Sequence, residues 1–402
     1  MSKISTITAL DIGSGSIKAM IATPEEAGFR VLGMAENISS GVRRGVVSDV
    51  DKVSRLISLT VEEARRESEC SVQEVYANIN GSHITSISSR GLISVSRADQ
   101  KISQEEVDRV IEAAKAFSLP TNREILEVIP REFTIDNESG LKDVLGLQGV
   151  RLETEILAIS GFSRYSKDVT QAILGADLQV SDLVLNPIAS AKAVLTQEEK
   201  KLGVAVIDIG AGTTSLAVFE EGELLHTAVL PVGMNNMRND IAIGLQVNME
   251  TAEFIKNKFG ASIFGEKKSK NEKIKTPEGE DVTFKLTELK KISEARVLEM
   301  FDEINKELKK ISRAGMLPAG VVLTGGGANA SGLVDFVKKK MGLPCRIGAP
   351  RRFSQIESDP SLSVLCGLVM YGFESEEDNF VEFKSLKGLG KKIKKFLKVF
   401  IP

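Results

Sequence analysis

The chain has no tryptophan, only two histidines (His83 and His226), three cysteines (Cys70, Cys345 and Cys366) and 5% aromatic residues. Odd in number and widely scattered, the cysteines argue against a disulfide framework or a zinc site. Two histidines leave little material for imidazole catalysis, and His83, in Asn80-Gly-Ser-His83, reads more simply as a satisfied loop or core histidine. No stretch reaches the roughly 18 consecutive apolar residues that a membrane span requires. The N-terminus, Met-Ser-Lys-Ile-Ser-Thr-Ile, lacks the apolar core of a secretory signal, so a cytoplasmic location is expected.

A length of 402 residues, with 42% hydrophobic and 27% charged residues, fits a soluble globular protein of two ordinary domains. The net charge of −3 conceals an asymmetry: residues 384–402 hold seven lysines and no acid, leaving the remainder at −3 − 7 = −10. The body is acidic and the tail is basic.

The central motif runs from Val204 to Phe219. β-Branched residues lead into Asp208, Gly210-Ala211-Gly212 makes a tight turn, and a second apolar run leaves it, which is a strand, turn and strand. Such a turn is either a plain hairpin or a phosphate cradle, since glycine lets backbone N–H groups approach an anion closely. In the second reading the carboxylate, with Thr213 and Thr214, can hold a magnesium ion through its waters. The motif has an echo in Asp11-Ile12-Gly13-Ser14-Gly15-Ser16-Ile17-Lys18, because 208 − 11, 210 − 13 and 212 − 15 all equal 197. A duplicated fold with two facing hairpins follows. A third element, Gly320 to Ser331, is an apolar strand ending in Gly325, Gly326 and Gly327, where a nucleotide can lie against bare backbone.

Between these motifs the pattern is coarser. Asp49 to Glu67 predicts a helix with Val50, Val53, Ile57 and Val61 on one face, followed by a strand at Val75 to Ile79. Residues 84–160 change character and read as an inserted α+β module. It has strands at Leu92 to Val95, Ile125 to Ile129 and Phe133 to Ile135, and a helix opened by the capping box of Ser103 and Glu106. The insert is either a contact site for other proteins or a structural addition. Asp182 to Leu195 carries Ala189, Ser190, Ala191 and Ala193, small residues that suit a close helix crossing. Glu253 and Lys256 lie three apart on one helical face; a surface ion pair is the simple alternative to a ligand role. Residues 265–281 read as a solvated polar loop, Leu289 to Ile311 and Ser363 to Tyr371 as helices, and 374–385 as an acidic linker.

Two Asp-x-Gly-x-Gly hairpins followed by Thr324-Gly-Gly-Gly327 resemble the actin, sugar kinase and DnaK-type chaperone superfamily. Tyr76-Ala-Asn-Ile-Asn-Gly-Ser-His83, Ile129-Pro-Arg-Glu-Phe133 and Arg346-Ile-Gly-Ala-Pro350, together with the position of the insert, are similar to the bacterial division family FtsA over essentially the whole chain. The resemblance implies an actin-like, duplicated ribonuclease H-like α/β fold. Its first core comprises 1–83 and 161–195, rejoined by 364–373; 84–160 is the 1C insert; 196–235 with 312–363 is the second core, and 236–311 is subdomain 2B. It also implies ATP and magnesium in the cleft, with Asp11 and Asp208 positioning the metal through water. Gly13, Ser14, Gly15, Ser16, Lys18, Gly210, Ala211, Gly212, Thr213, Thr214, Glu253, Lys256, Gly325, Gly326 and Gly327 would surround the nucleotide. Met234, Arg238 and Ser215 depart from the family pattern beside that site, so at most slow ATP hydrolysis is expected. The family's partners would be a second copy, in filaments, and the C-terminal peptide of the tubulin-like FtsZ. Arg296, flanked by Lys291 and Glu294, falls where the family places a basic residue for that peptide; a solvated helix face is the rival reading. A sugar-kinase-like phosphotransferase and an FtsA-like pilus-assembly adapter remain the alternatives.

Residues 386–402 supply the last signal. Leu386, Leu389, Ile393, Phe396, Leu397 and Phe400 step by three or four, with Lys392, Lys395 and other lysines opposite, which describes an interfacial amphipathic helix on an anionic lipid surface. No base-stacking aromatic set accompanies it, so a nucleic-acid partner is not expected. The protein would therefore be peripheral on the inner face of the membrane, at the division site.

Overall fold

A computed structural model describes residues 6–263, 271–276, 279, 281–353, 356 and 358–385. The chain opens with three antiparallel strands, β1 (Ile7–Ile12), β2 (Ser16–Glu25) and β3 (Gly28–Ile38), then a short ribbon of β4 (Val42–Arg43) and β5 (Val46–Val47). Next come helix α1 (Val50–Ser68) and strand β6 (Glu74–Ile79). The Asp49 side chain caps α1 by accepting from the Lys52 amide. Val53, Ile57, Thr60, Val61 and Ala64 then line its buried stripe. β3 has no counterpart in the sequence reading, because its pattern is mostly half-exposed and lacks clean alternation.

The insert is a sheet of β7 (Thr85–Ser94), β8 (Arg123–Ile135), β9 (Glu138–Leu141) and β10 (Arg151–Phe162), with helix α2 (Gln104–Ala114) packed on it. Strand order is β7-β10-β8-β9. Ser103 and Glu106 form the expected capping box. The two strands expected on either side of Pro130 are one continuous strand, β8. Proline is tolerated there because the β10 register shifts beside it and β9 pairs only farther along, at Phe133 and Ile135, so no sheet partner needs the missing N–H.

Helix α3 (Ser163–Leu174) and strand β11 (Gln179–Leu185) return to the first core, giving the five-stranded order β11-β6-β1-β2-β3. Helices α4 (Asn186–Val194) and α5 (Gln197–Leu202) lead to the second half. That half begins with β12 (Val204–Ile209), β13 (Thr214–Glu220) and β14 (Glu223–Leu230). After them come α6 (Met234–Leu245), α7 (Met249–Ile263), the ribbon β15 (Asn271–Lys275) and β16 (Asp281–Lys285), and α8 (Leu286–Lys310). β17 (Gly320–Thr324), α9 (Leu333–Met341), β18 (Cys345–Ile347) and α10 (Ser363–Ser385) complete it, with order β14-β13-β12-β17-β18. The duplication holds at the level of register: Asp11 faces Lys18 across β1 and β2, and Asp208 faces Ser215 across β12 and β13.

Two segments differ from expectation. Within 265–281, the part described is mostly ribbon rather than loop, because Ile274 and Phe284 turn inward and bury themselves beneath α7 and α8. The helix expected over Ser363 to Tyr371 continues through 374–385, the segment read as a linker. Between the halves, α4 and α10 cross so closely that a Cβ on Gly367 would lie 1.8 Å from the Ala189 carbonyl oxygen. Ala189, Ser190, Ala191 and Ala193 are all buried there.

Candidate functional site

The two glycine turns are built alike. Gly13 N donates to Ser16 O at 3.0 Å and Gly210 N to Thr213 O at 2.9 Å, closing each hairpin around a two-residue tip. The tips meet across the cleft. A Cβ on Gly15 would lie 2.8 Å from Ala211 Cβ, and one on Gly212 would lie 2.9 Å from Ser14 Oγ. Glycine at both positions is thus required by the approach of one half to the other. Helix α6 seats its N-terminus on the second turn: Met234 N donates to Gly210 O at 3.0 Å and Asn235 N to Ala211 O at 2.8 Å.

Behind the tips lie the two carboxylates. Burial pushes Asp208 up to about 7, with the Asp11 charge adding to the rise and Lys18 opposing it. Burial likewise pushes Asp11 up to about 6, against the attraction of Lys18. Asn78, at the end of β6, donates to Asp11 at 2.8 Å and to Asn186 at 2.7 Å, and accepts from the Ile12 amide at 2.6 Å. Lys18, itself buried, donates to Ser361 O at 2.8 Å. Two adjacent acids with so little positive charge nearby are a donor set that a divalent cation would neutralise.

Other expected ligands are committed elsewhere. The Thr213 hydroxyl accepts from Asn80 Nδ2 at 3.1 Å, and that of Thr214 donates to Val232 O at 2.8 Å, both side chains being buried. They strap the second turn to the first half and to the segment that follows β14, rather than standing ready for a metal's waters. Ser215 donates to Asn80 Oδ1 at 3.3 Å, so Asn80 is the clasp between the halves. Of the third turn, Gly325 and Gly327 serve packing: a Cβ on the first would fall 2.2 Å from Asp208 Oδ1 and one on the second 2.4 Å from Ile209 Cγ2. Only Gly326 keeps an open flank, with its nearest neighbour, Ser361 Cβ, at 3.8 Å. Met234 and Met237 line an apolar crevice with Ile209, Met300, Phe301 and Gly327 whose free volume, about 10 Å³, is roughly one water-sized sphere.

Glu253 and Lys256 pair with each other at 2.7 Å on α7. Arg296 is engaged within the chain, its Nε 2.6 Å from Asp240 Oδ2 and its Nη1 2.5 Å from Glu299. Glu294 lies 3.6 Å from Lys290, and Lys291 is exposed. The residues expected to bind the membrane, Leu386, Leu389, Lys392, Ile393, Lys395, Phe396, Leu397 and Phe400, lie outside the described residues. Sequence reasoning missed Asn78 and Asn80, although both sit inside the Tyr76 to His83 string, and it missed the β4–β5 turn altogether.

The glycine turns suit a phosphate, and one unsatisfied group lies beside them: the Ser39 hydroxyl is buried without a partner, next to an amide that donates to Gly15 O at 3.0 Å. Duplicated sheets, facing turns and paired carboxylates define an actin-like protein. Solved structures agree on the fold. A PilM–PilN type IV pilus biogenesis complex matches with TM-score 0.67 at 18% identity, covering 92% of this chain and 99% of that one. MreB5 of Spiroplasma citri bound to ADP matches with TM-score 0.55 at 14% identity, covering 94% and 98%. At the level of sequence, the model of cell division protein FtsA matches residues 205–367, and that of the SHS2 domain inserted in FtsA matches 81–160. The cell division protein FtsA of Borreliella burgdorferi is 33% identical, over 98% of this chain and 96% of its own. Those of Neisseria meningitidis serogroup B (33%, 90% and 89%) and Escherichia coli K12 (30%, 92% and 90%) are similar. The chain belongs to the FtsA family of cell division proteins.

Proposed function

We propose that this chain is a nucleotide-binding, polymerising membrane adapter that tethers FtsZ filaments to the inner face of the cytoplasmic membrane during division. The observation that carries the reading is the pair of matched glycine turns meeting over two buried carboxylates, in a member of the FtsA family. ATP with magnesium would supply, when bound, the positive charge that the buried pair lacks. The backbone of Gly13 to Ser16 and of Gly210 to Thr213 would orient the phosphates, Asp11 and Asp208 would hold the metal's waters, and Lys18 would balance their charge. Asn80 joins the halves through Thr213 and Ser215, so occupancy of the cleft bears directly on how the two halves are set. Hydrolysis is slow at most, because Ser215 stands where the family often carries an acid and Met234 and Arg238 also depart from its pattern beside the turns.

Subunits assembled in a filament present many tails to the lipid at once, and avidity converts a weak anchor into a stable one. Residues 386–402 provide that anchor, and the insert offers a face for other division proteins. Arg296 receives the FtsZ C-terminal peptide by exchanging Asp240 or Glu299 for a peptide carboxylate, with Lys291 and Glu294 alongside. Among the described residues no helix is long and apolar enough to cross a membrane.

The test is co-sedimentation of the full chain with anionic vesicles, ATP, magnesium and FtsZ. The wild type is expected to bring FtsZ down with the vesicles. Replacing both Phe396 and Leu397 with Glu should release protein and FtsZ from lipid, whereas Arg296→Glu should release FtsZ alone. Retention of FtsZ on vesicles by both variants would defeat the adapter reading.

A further inference from the structure

The β4–β5 ribbon is a two-residue hairpin in which Val42 pairs with Val47 and Arg43 with Val46. Its tip, Arg44-Gly45, has φ of 49° and 79°, left-handed at both positions, as a type I′ turn demands. Asparagine or glycine is the favoured first residue of such a turn, and arginine is a poor choice on backbone grounds. The tip is nevertheless placed against both glycine turns. Gly45 N donates to Ser14 Oγ at 2.9 Å, and a Cβ on Gly212 would lie 3.2 Å from Arg44 N. A Cβ on Gly45 would lie 3.0 Å from Gly81 N and 3.2 Å from Thr213 Cγ2, so this tip also touches the Asn80 clasp.

Arg44 is exposed, and its guanidinium has no hydrogen-bond or ion-pair partner among the described residues. An arginine is therefore held, at a backbone cost, on a tip placed where the two halves meet, and among the described residues no carboxylate pairs with it. The unpartnered Ser39 hydroxyl belongs to the same stretch of chain, entering the ribbon from Gly15.

We propose that Arg44 is a phosphate-binding residue: its guanidinium closes the third side of the cleft by pairing with the terminal phosphates of a bound nucleoside triphosphate, joined by the Ser39 hydroxyl. This rests on the nucleotide reading above and adds a residue, and a preference for more phosphates over fewer, that the glycine turns alone do not supply. Because the tip touches Ser14 on one side and Gly212 with Thr213 on the other, pairing there also draws the halves together. Guanidinium is suited to this by its planar donors, which take two phosphate oxygens at once.

Calorimetric binding of ATP, ADP, adenosine and pyrophosphate to the full chain, beside Arg44→Gly and Arg44→Lys, tests it. Glycine satisfies the left-handed turn better than arginine, so Arg44→Gly should melt no lower than wild type while removing the cation. Its affinity for ATP should fall about tenfold, as expected for loss of one charge-assisted contact. Adenosine binding should be unchanged, ADP should fall less than ATP, and Arg44→Lys should recover part of the loss. Pyrophosphate distinguishes a nucleotide's phosphates from a free anion: the proposal expects Arg44 to matter for ATP well above any effect on pyrophosphate, and the reverse order would overturn it. ATP binding by Arg44→Gly equal to wild type would overturn the proposal and leave the nucleotide reading standing. Failure of the wild type to bind any nucleotide would overturn both.

Discussion

Asp208 lies against Gly325 and near Asp11, and its burial governs its behaviour. Its folded value, about 7, is above the ordinary 3.8, so the folded state disfavours the carboxylate. The sign follows: the nucleotide-free protein keeps its full stability below the unfolded value and loses part of it as pH rises through about 6 to 7, where Asp11 and Asp208 ionise. Asp208→Asn should therefore raise the unfolding free energy at a pH of about 8 by on the order of 2 kcal/mol and change little at a pH of about 4. Thermal melts at the two pH values measure this, and an equal shift at both would show that the pair does not titrate as described. The same substitution should remove the magnesium dependence of nucleotide binding. The sequence singles out Asp11 and Asp208 because a carboxylate before a glycine turn is a local pattern. The same reading had no access to Asn78 and Asn80, whose partners are Asp11, Asn186, Thr213 and Ser215.

Among the elements, the crossing of α4 and α10 bears most directly on how the halves are joined. Small residues on both helices allow backbone contact, and the Lys192 ammonium on α4 pairs with the Glu374 carboxylate on α10 at the rim. Even one methyl group has no room at Gly367, with the Ala189 carbonyl oxygen at 1.8 Å from where it would be placed. Gly367→Ala should separate the helices and cost about 3 kcal/mol, read as a lowered urea midpoint. An unchanged midpoint would mean that the crossing slides without cost. The small-residue run in α4 was legible in the sequence, but nothing in it identified Gly367 as the partner. Likewise α8 showed its buried stripe, while Arg296 on its half-exposed side was captured by Asp240 from α6, a residue 56 positions away.

The whole molecule is held at a second place, far from the glycine turns in sequence. Ser86 on β7 of the insert lies 3.1 Å from His226 Nδ1 on β14, and His226 Nε2 lies 3.1 Å from Glu307 on α8. Burial lowers His226, while the hydrogen bond and charge of Glu307 oppose the shift and Lys310 adds to it. A lowered folded value means that this contact loses stability as pH falls through the unfolded value of 6.5. His226→Ala should weaken the joint between insert and second half by about 1 kcal/mol, seen as several-fold faster amide exchange in β7 with β1 and β12 unaffected. Uniform acceleration would indicate global destabilisation instead.

The sequence by itself determined the duplicated fold, the insert, the family and the basic composition of the tail, because strand alternation, helical spacing and glycine turns are set by residues only a few positions apart. Only the tertiary structure decided that Thr213 serves the clasp, that Gly325 and Gly327 pack on β12, and that the Arg44-Gly45 tip lies against both turns. Those outcomes depend on two halves of the chain meeting, and the surface each residue finds there is chosen by the packing of sheets and helices, which no local pattern encodes.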